Sequence, residues 1–230
     1  MLKAPKKGVA AAALRASMPV MAGYIVLGMG FGIIMKTKGY GFLWTFVMSA
    51  FIYAGSMQYV AVDLLTGGAS LITAALTTFM VNARHLFYGI SMVDKYRGAG
   101  KKKPYMIFAL TDETYSLVCG DVPVDEPDRH AYCFLLSVLN QCYWVTGSAI
   151  GAILGSVIPF STEGIDFALT ALFVSVFVEQ WLTTKDHIPA IMGVICTAAC
   201  LAIFGSGSFL IPAMIAITLA LPVLKKVRGD

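Results

Sequence analysis

Residues 69–93 read ASLITAALTTFMVNARHLFYGISMV. The stretch is long enough to cross a hydrocarbon core, which takes roughly 20 apolar residues, yet Asn82, Arg84 and His85 sit inside it. A charged side chain at mid-bilayer costs roughly 2.5–3.5 kcal/mol on insertion scales. A membrane segment that keeps one therefore needs a partner, water or a purpose for it. The same conflict recurs downstream. Thr111, Asp112 and Glu113 interrupt the apolar run of 105–119, and Glu179 and Gln180 lie near the end of the run 165–182.

The composition fits this reading throughout. Of 230 residues 58% are hydrophobic and only 13% charged, more apolar side chain than a soluble domain of this size can hide. Apolar segments fall at about 18–35, 42–65, 69–93, 105–119, 131–158, 165–182, 188–204 and 207–224, separated by short polar or Gly/Pro-marked stretches. The expected fold is an all-α integral membrane protein, a polytopic helical bundle of about six to eight membrane segments. It forms one membrane-embedded domain over 1–230, with 1–17 as a basic cytoplasmic segment leading into an uncleaved first helix. A partial echo between ITAALTTFMVN at 72–82 and IDFALTALFVS at 165–175 suggests an internal repeat. The net charge of +4 comes from Lys and Arg at the two ends and in short loops. That pattern orients a membrane protein and does not make a nucleic-acid surface. The five cysteines have no metal-type spacing and read as buried free thiols.

Charge bias also constrains the path of the chain. With a cytoplasmic N-terminus and three full crossings, the loop carrying Lys95, Arg97, Lys101, Lys102 and Lys103 would lie outside, against the positive-inside rule. The conflict disappears if 42–65 is broken or re-entrant around Gly55, as helices lining a transporter cavity are. If 105–119 is a half-helix as well, the Lys185 loop and the Lys225, Lys226, Arg228 tail also fall inside.

The candidate site residues are those that burial makes conspicuous: Ser56, Gln58, Asn82, Arg84, His85, Thr111, Asp112 and Glu113, with Gly55 as the helix break. Arg84 either snorkels to lipid phosphate or pairs with Asp112 or Glu113. Asn82 and His85 share a face on a continuous helix, and His85 either shuttles protons or makes a buried hydrogen bond. Ser56 and Gln58 suit a polar solute or a neighbouring helix. Gly28, Gly30 and Gly32 lack the strand and the spacing of a dinucleotide fingerprint. Gly147, Gly151 and Gly155 make a smooth ridge for a close-packed helix of this chain or of a partner. No P-loop, H-E-x-x-H or Ser/His/Asp set is present, so neither an enzyme nor a cofactor or metal is expected. A passive channel for a small polar solute and a structural membrane subunit are the rival classes.

The ordered motifs FIYAGSMQY at 51–59, VNARHLFYG at 81–89, LTDETYSL at 110–117, the glycine ridge, and GIDFALTALFVSVFVEQ at 164–180 resemble the AzlC family, the large subunit of bacterial branched-chain amino acid exporters. Ala83 stands where a bulkier apolar residue is commoner in that family. The resemblance implies export of leucine, isoleucine and valine, with methionine as a further candidate, across the bacterial cytoplasmic membrane. It also implies a separate small AzlD-type membrane subunit. Alternating access powered by an ion gradient, with protons the expected coupling ion, is the mechanism expected with no ATP-binding motif. An amino acid zwitterion then needs a cation for its carboxylate, with Arg84 the candidate, and an acid for its ammonium, Asp112 or Glu113. Phe51, Tyr53, Phe87 and Tyr88 are candidates for an apolar wall.

Overall fold

A computed structural model describes residues 7–157, 184–206 and 209–228, with a few isolated positions between 174 and 182. Every regular element among the described residues is helical. They fall into two compact units, Met1–Leu169 and Thr170–Asp230. In the first, α1 (Lys7–Thr37) is followed by α2 (Phe42–Val47), which runs into a π-helical turn (Met48–Ile52). Next come α3 (Gly55–Thr66), α4 (Leu71–Asn82), α5 (Arg84–Met92), a 3₁₀ turn (Gly100–Lys102), α6 (Lys103–Phe108), α7 (Asp112–Val118) and α8 (Glu126–Val157). The second unit contributes α9 (Ile188–Phe204) and α10 (Leu210–Arg228), packed on each other. The region 165–175 that would carry the second half of the repeat, and Glu179 with Gln180, lie outside the described residues.

Only α1 and α8 are long and apolar enough to cross a membrane as continuous helices among the described residues. Among the described residues the runs 42–65, 69–93 and 105–119 are each divided into shorter helices, whereas 188–204 and 207–224 hold the single helices α9 and α10. What surrounds the bundle is nonetheless oil-like. α4 buries none of its residues, and Leu71, Ile72 and Phe51 are 89%, 74% and 73% exposed. An exterior of this kind favours hydrocarbon over water.

The two long helices pack along their glycines. A Cβ added at Gly28 would come within 2.9 Å of the Trp144 carbonyl oxygen, and one at Gly147 within 2.7 Å of the Ile25 carbonyl oxygen. Gly32 and Gly151 sit closer still to the opposing main chain. The ridge foreseen at Gly147, Gly151 and Gly155 thus receives α1 of the same chain. The glycines at 28 and 32 are explained by the same seam: only without side chains can the backbones approach so far. At one end of the pair lies an apolar core of Val9, Ala13, Tyr96, Met106, Tyr132 and Leu136. Of the five cysteines expected to be buried, Cys133 and Cys200 are, Cys119 and Cys196 are half-buried and Cys142 is exposed; all five are free thiols.

Candidate functional site

Three chain breaks position the site, and each has a local cause. The π turn ends at Tyr53, whose φ of 45° and ψ of 48° are left-handed, a conformation that costs a non-glycine residue about 1–2 kcal/mol. Ala54 then leaves helical geometry before α3 starts at Gly55. The break foreseen at Gly55 therefore falls two residues earlier. Gly55 serves a different need, because a Cβ there would press on the Trp144 ring at 3.3 Å. The second break, at Ala83, is slight: its φ and ψ remain helical, and it offsets α5 from α4. The third runs through Ala109, Leu110 and Thr111. The extended backbone of Thr111 lets its side chain cap α7 by accepting from Thr114 N at 3.3 Å.

These breaks bring Ser56, Arg84 and Asp112 together. Arg84 Nη2 lies 2.9 Å from Asp112 Oδ2 and donates to Ser56 Oγ at 2.5 Å. The two charged side chains are 29% and 19% exposed, so the pair is largely withdrawn from the surroundings. Of the two fates open to Arg84, pairing with a carboxylate is the one observed, and Asp112 is the partner. Two buried acceptors belong to the same junction and lack donors: Asp112 Oδ1 and Asn82 Oδ1. His85 Nδ1 meets the Asn82 carbonyl oxygen at 3.1 Å, and its ring stands edge-on to Tyr88. Tyr88 stacks on Tyr115 with centroids 4.4 Å apart.

Glu113 has a different partner. Tyr24 of α1 donates to its Oε2 at 2.6 Å, and the Tyr24 oxygen lies 2.7 Å from Thr111 Oγ1, a contact in which either hydroxyl can donate. Thr111 donates to Thr114 Oγ1 at 3.1 Å, and Asn140 Nδ2 of α8 donates to the same oxygen at 3.0 Å. Gln58 belongs to neither group. It is fully buried, accepts from Trp144 Nε1 at 2.9 Å and donates to Ser49 Oγ at 3.4 Å, which makes it a brace between α3, α8 and the π turn. Gln141 supports the same turn by donating to the Ala50 carbonyl at 2.9 Å, while accepting from Tyr105 at 2.5 Å.

The expected aromatic wall is only half present. Phe51 and Phe87 are 73% and 41% exposed and point outward, whereas Tyr53 is buried and Tyr88 half-buried. Tyr24, Asn140, Gln141 and Trp144 are polar groups of the site that the sequence reading passed over. Burial cost applied to LNQCYW at 139–144, the middle of an apolar segment, singles out Asn140 and Gln141. Tyr24 and Trp144 carry no such mark, since both residue types are common in membrane helices.

Comparison with known proteins agrees with the motifs. Residues 19–158 match the family model described as AzlC protein. The chain is 47% identical over 211 residues to the Branched-chain amino acid transport protein AzlC of Bacillus subtilis, covering 91% of this chain and 83% of that protein. It is 42% identical over 207 residues to an uncharacterized membrane protein of Haemophilus influenzae, covering 89% and 84%. To the Inner membrane protein YgaZ of Escherichia coli it is 31% identical over 167 residues, covering 69% and 68%. No solved structure matches significantly. With a family match that takes in α8 and every break of the site, and with relatives named as membrane proteins, this chain is a member of the AzlC family.

Proposed function

We propose that the protein is a secondary transporter subunit that exports branched-chain amino acids across the bacterial cytoplasmic membrane by alternating access. The named activity of the Bacillus subtilis relative supports the substrate class. The observation that carries the reading is the half-buried Arg84–Asp112 pair, held where three interrupted helices meet. Broken helices that expose polar atoms inside an apolar bundle are how mid-membrane solute sites are built.

An amino acid zwitterion carries the same two charges as this pair. Its carboxylate suits Arg84 and the Ser56 hydroxyl. Its ammonium, with three N–H donors, suits Asp112, whose buried Oδ1 has no hydrogen-bond partner. Substrate binding then exchanges one internal ion pair for two intermolecular ones, which keeps the charges compensated as a site closes. Empty, the pair neutralises itself, so the protein can change conformation without stranding a bare charge in apolar surroundings. His85 flanks this site, Gln58 braces it, and Thr111 and Glu113 form the coupling side. A small AzlD-type membrane subunit completes the transporter, and the outward-facing apolar surface of the short helices gives it ample room to pack.

The test is leucine efflux from preloaded cells that lack their own branched-chain exporters. Expressing this chain with the small subunit is expected to accelerate efflux, and Arg84→Gln to slow it by about tenfold, a barrier change of about 1.4 kcal/mol. Unchanged efflux despite normal membrane insertion of the wild type overturns the reading.

A further inference from the structure

Asp112 and Glu113 are neighbours in the chain with unlike surroundings. Asp112 has its charge balanced by Arg84. Glu113 is half-buried, and among the described residues it has no ion pair; its partner is a phenol. The titratable and charged groups around Glu113 are Tyr24 from α1, Tyr53 from the turn before α3, Tyr88 from α5 and Asp112 on its own helix. Behind Tyr24 the hydroxyls of Thr111 and Thr114 continue as a row of oxygens at hydrogen-bond distance, ending on Asn140. Asn140 has no exposed surface, and its Oδ1 has no partner; the buried Tyr53 hydroxyl lies beside Tyr24 and Thr111.

Resting on the transport reading above, we propose that Glu113 takes up and releases the coupling proton, and that Tyr24 is the positioning residue that holds its carboxylate. The row of hydroxyls accommodates both states. With Glu113 ionised, Tyr24 donates to Oε2. When a proton from water bonds to Oε2, the new O–H donates to the Tyr24 oxygen, and the phenolic hydrogen turns to Thr111 Oγ1, which donates onward to Thr114. One O–H bond forms at Glu113 and one breaks in hydronium. No heavy atom has to move, and each step uses a contact already present. Substrate charge and coupling charge are thereby divided between adjacent residues with different partners.

Dicyclohexylcarbodiimide, which adds to protonated carboxyls in apolar surroundings, tests this on the full chain in detergent, with adducts located by fragment mass spectrometry. The expected result is an adduct on Glu113 that falls about tenfold from acidic to alkaline pH as the carboxyl ionises. In Tyr24→Phe the adduct at neutral pH is expected to rise about threefold, because the ionised form has lost its donor. An adduct on Asp112 instead, or labelling of Glu113 indifferent to pH, overturns the proposal. In proteoliposomes that hold the chain and its small subunit, Glu113→Gln is expected to lower the ratio of pH-gradient-driven leucine uptake to leucine exchange by about tenfold. Wild-type flux that ignores a pH gradient overturns the proton role while leaving the transport reading intact. Absence of any leucine flux beside the expected Glu113 labelling overturns the transport reading instead.

Discussion

At the scale of single residues, the chemistry rests on polar groups whose partners are specific. Removing one member of the Arg84–Asp112 pair leaves the other charge partly buried and uncompensated, a loss of about 3–5 kcal/mol for fully buried pairs and less at these exposures. Asp112→Asn is therefore expected to lower both efflux and the thermal midpoint of the purified protein. Restoring neutrality with Arg84→Gln in the same chain should recover part of the midpoint but none of the efflux, which separates the structural from the transport role. Gln58→Leu strands the Trp144 indole N–H and should cost about 1–3 kcal/mol, seen as a lowered midpoint in the same assay. The sequence made Arg84, Asp112 and Glu113 conspicuous because charge in an apolar run is costly wherever it lies. It could not say which carboxylate meets the arginine. That choice follows from the extended Thr111, which starts α7 so that Asp112 faces Arg84 while Glu113 faces Tyr24.

Elements tell a different story, because boundaries here are set by tertiary contacts as much as by local preference. The run 42–65 contains no proline, and its single internal glycine does not mark the break. Its π turn and the left-handed Tyr53 persist because α8 supplies Gln141 to the Ala50 carbonyl and Trp144 to Gln58. Such support comes from residues 86 and 91 positions away and is invisible to any local reading. The glycine ridge, by contrast, was legible, since a four-residue repeat of missing side chains has one obvious use. Gly151→Leu is expected to drive α1 and α8 apart, with a loss of at least about 1–3 kcal/mol that detergent-solubilised protein should report as a lower melting midpoint. Gly41→Ala, in open space at negative φ, should leave the midpoint within about 0.5 kcal/mol of the parent.

For the molecule as a whole, the positive loops remain the guide to orientation. Lys101 and Thr184 are both exposed. Single cysteines placed there in a background lacking the five native thiols are expected to react with membrane-impermeant maleimide only after the cells are opened. Labelling at Lys101 in intact cells would mean that 42–65 and 69–93 both cross fully, and would remove the re-entrant path. The class of the molecule was legible from composition, since an exterior of leucine, isoleucine and phenylalanine admits few solvents. The number of crossings was not, because apolar length counts residues and takes no account of where a helix stops and restarts. The seam between α1 and α8 carries one more implication. Helices that touch main chain to main chain cannot roll or slip past each other without forcing peptide through peptide, so this pair serves as a fixed mast. In the alternating-access cycle proposed above, the travel then falls to the short rods hung beside it, and their joints at Tyr53, Ala83 and Leu110 become the places where a pulling or locking probe should be aimed.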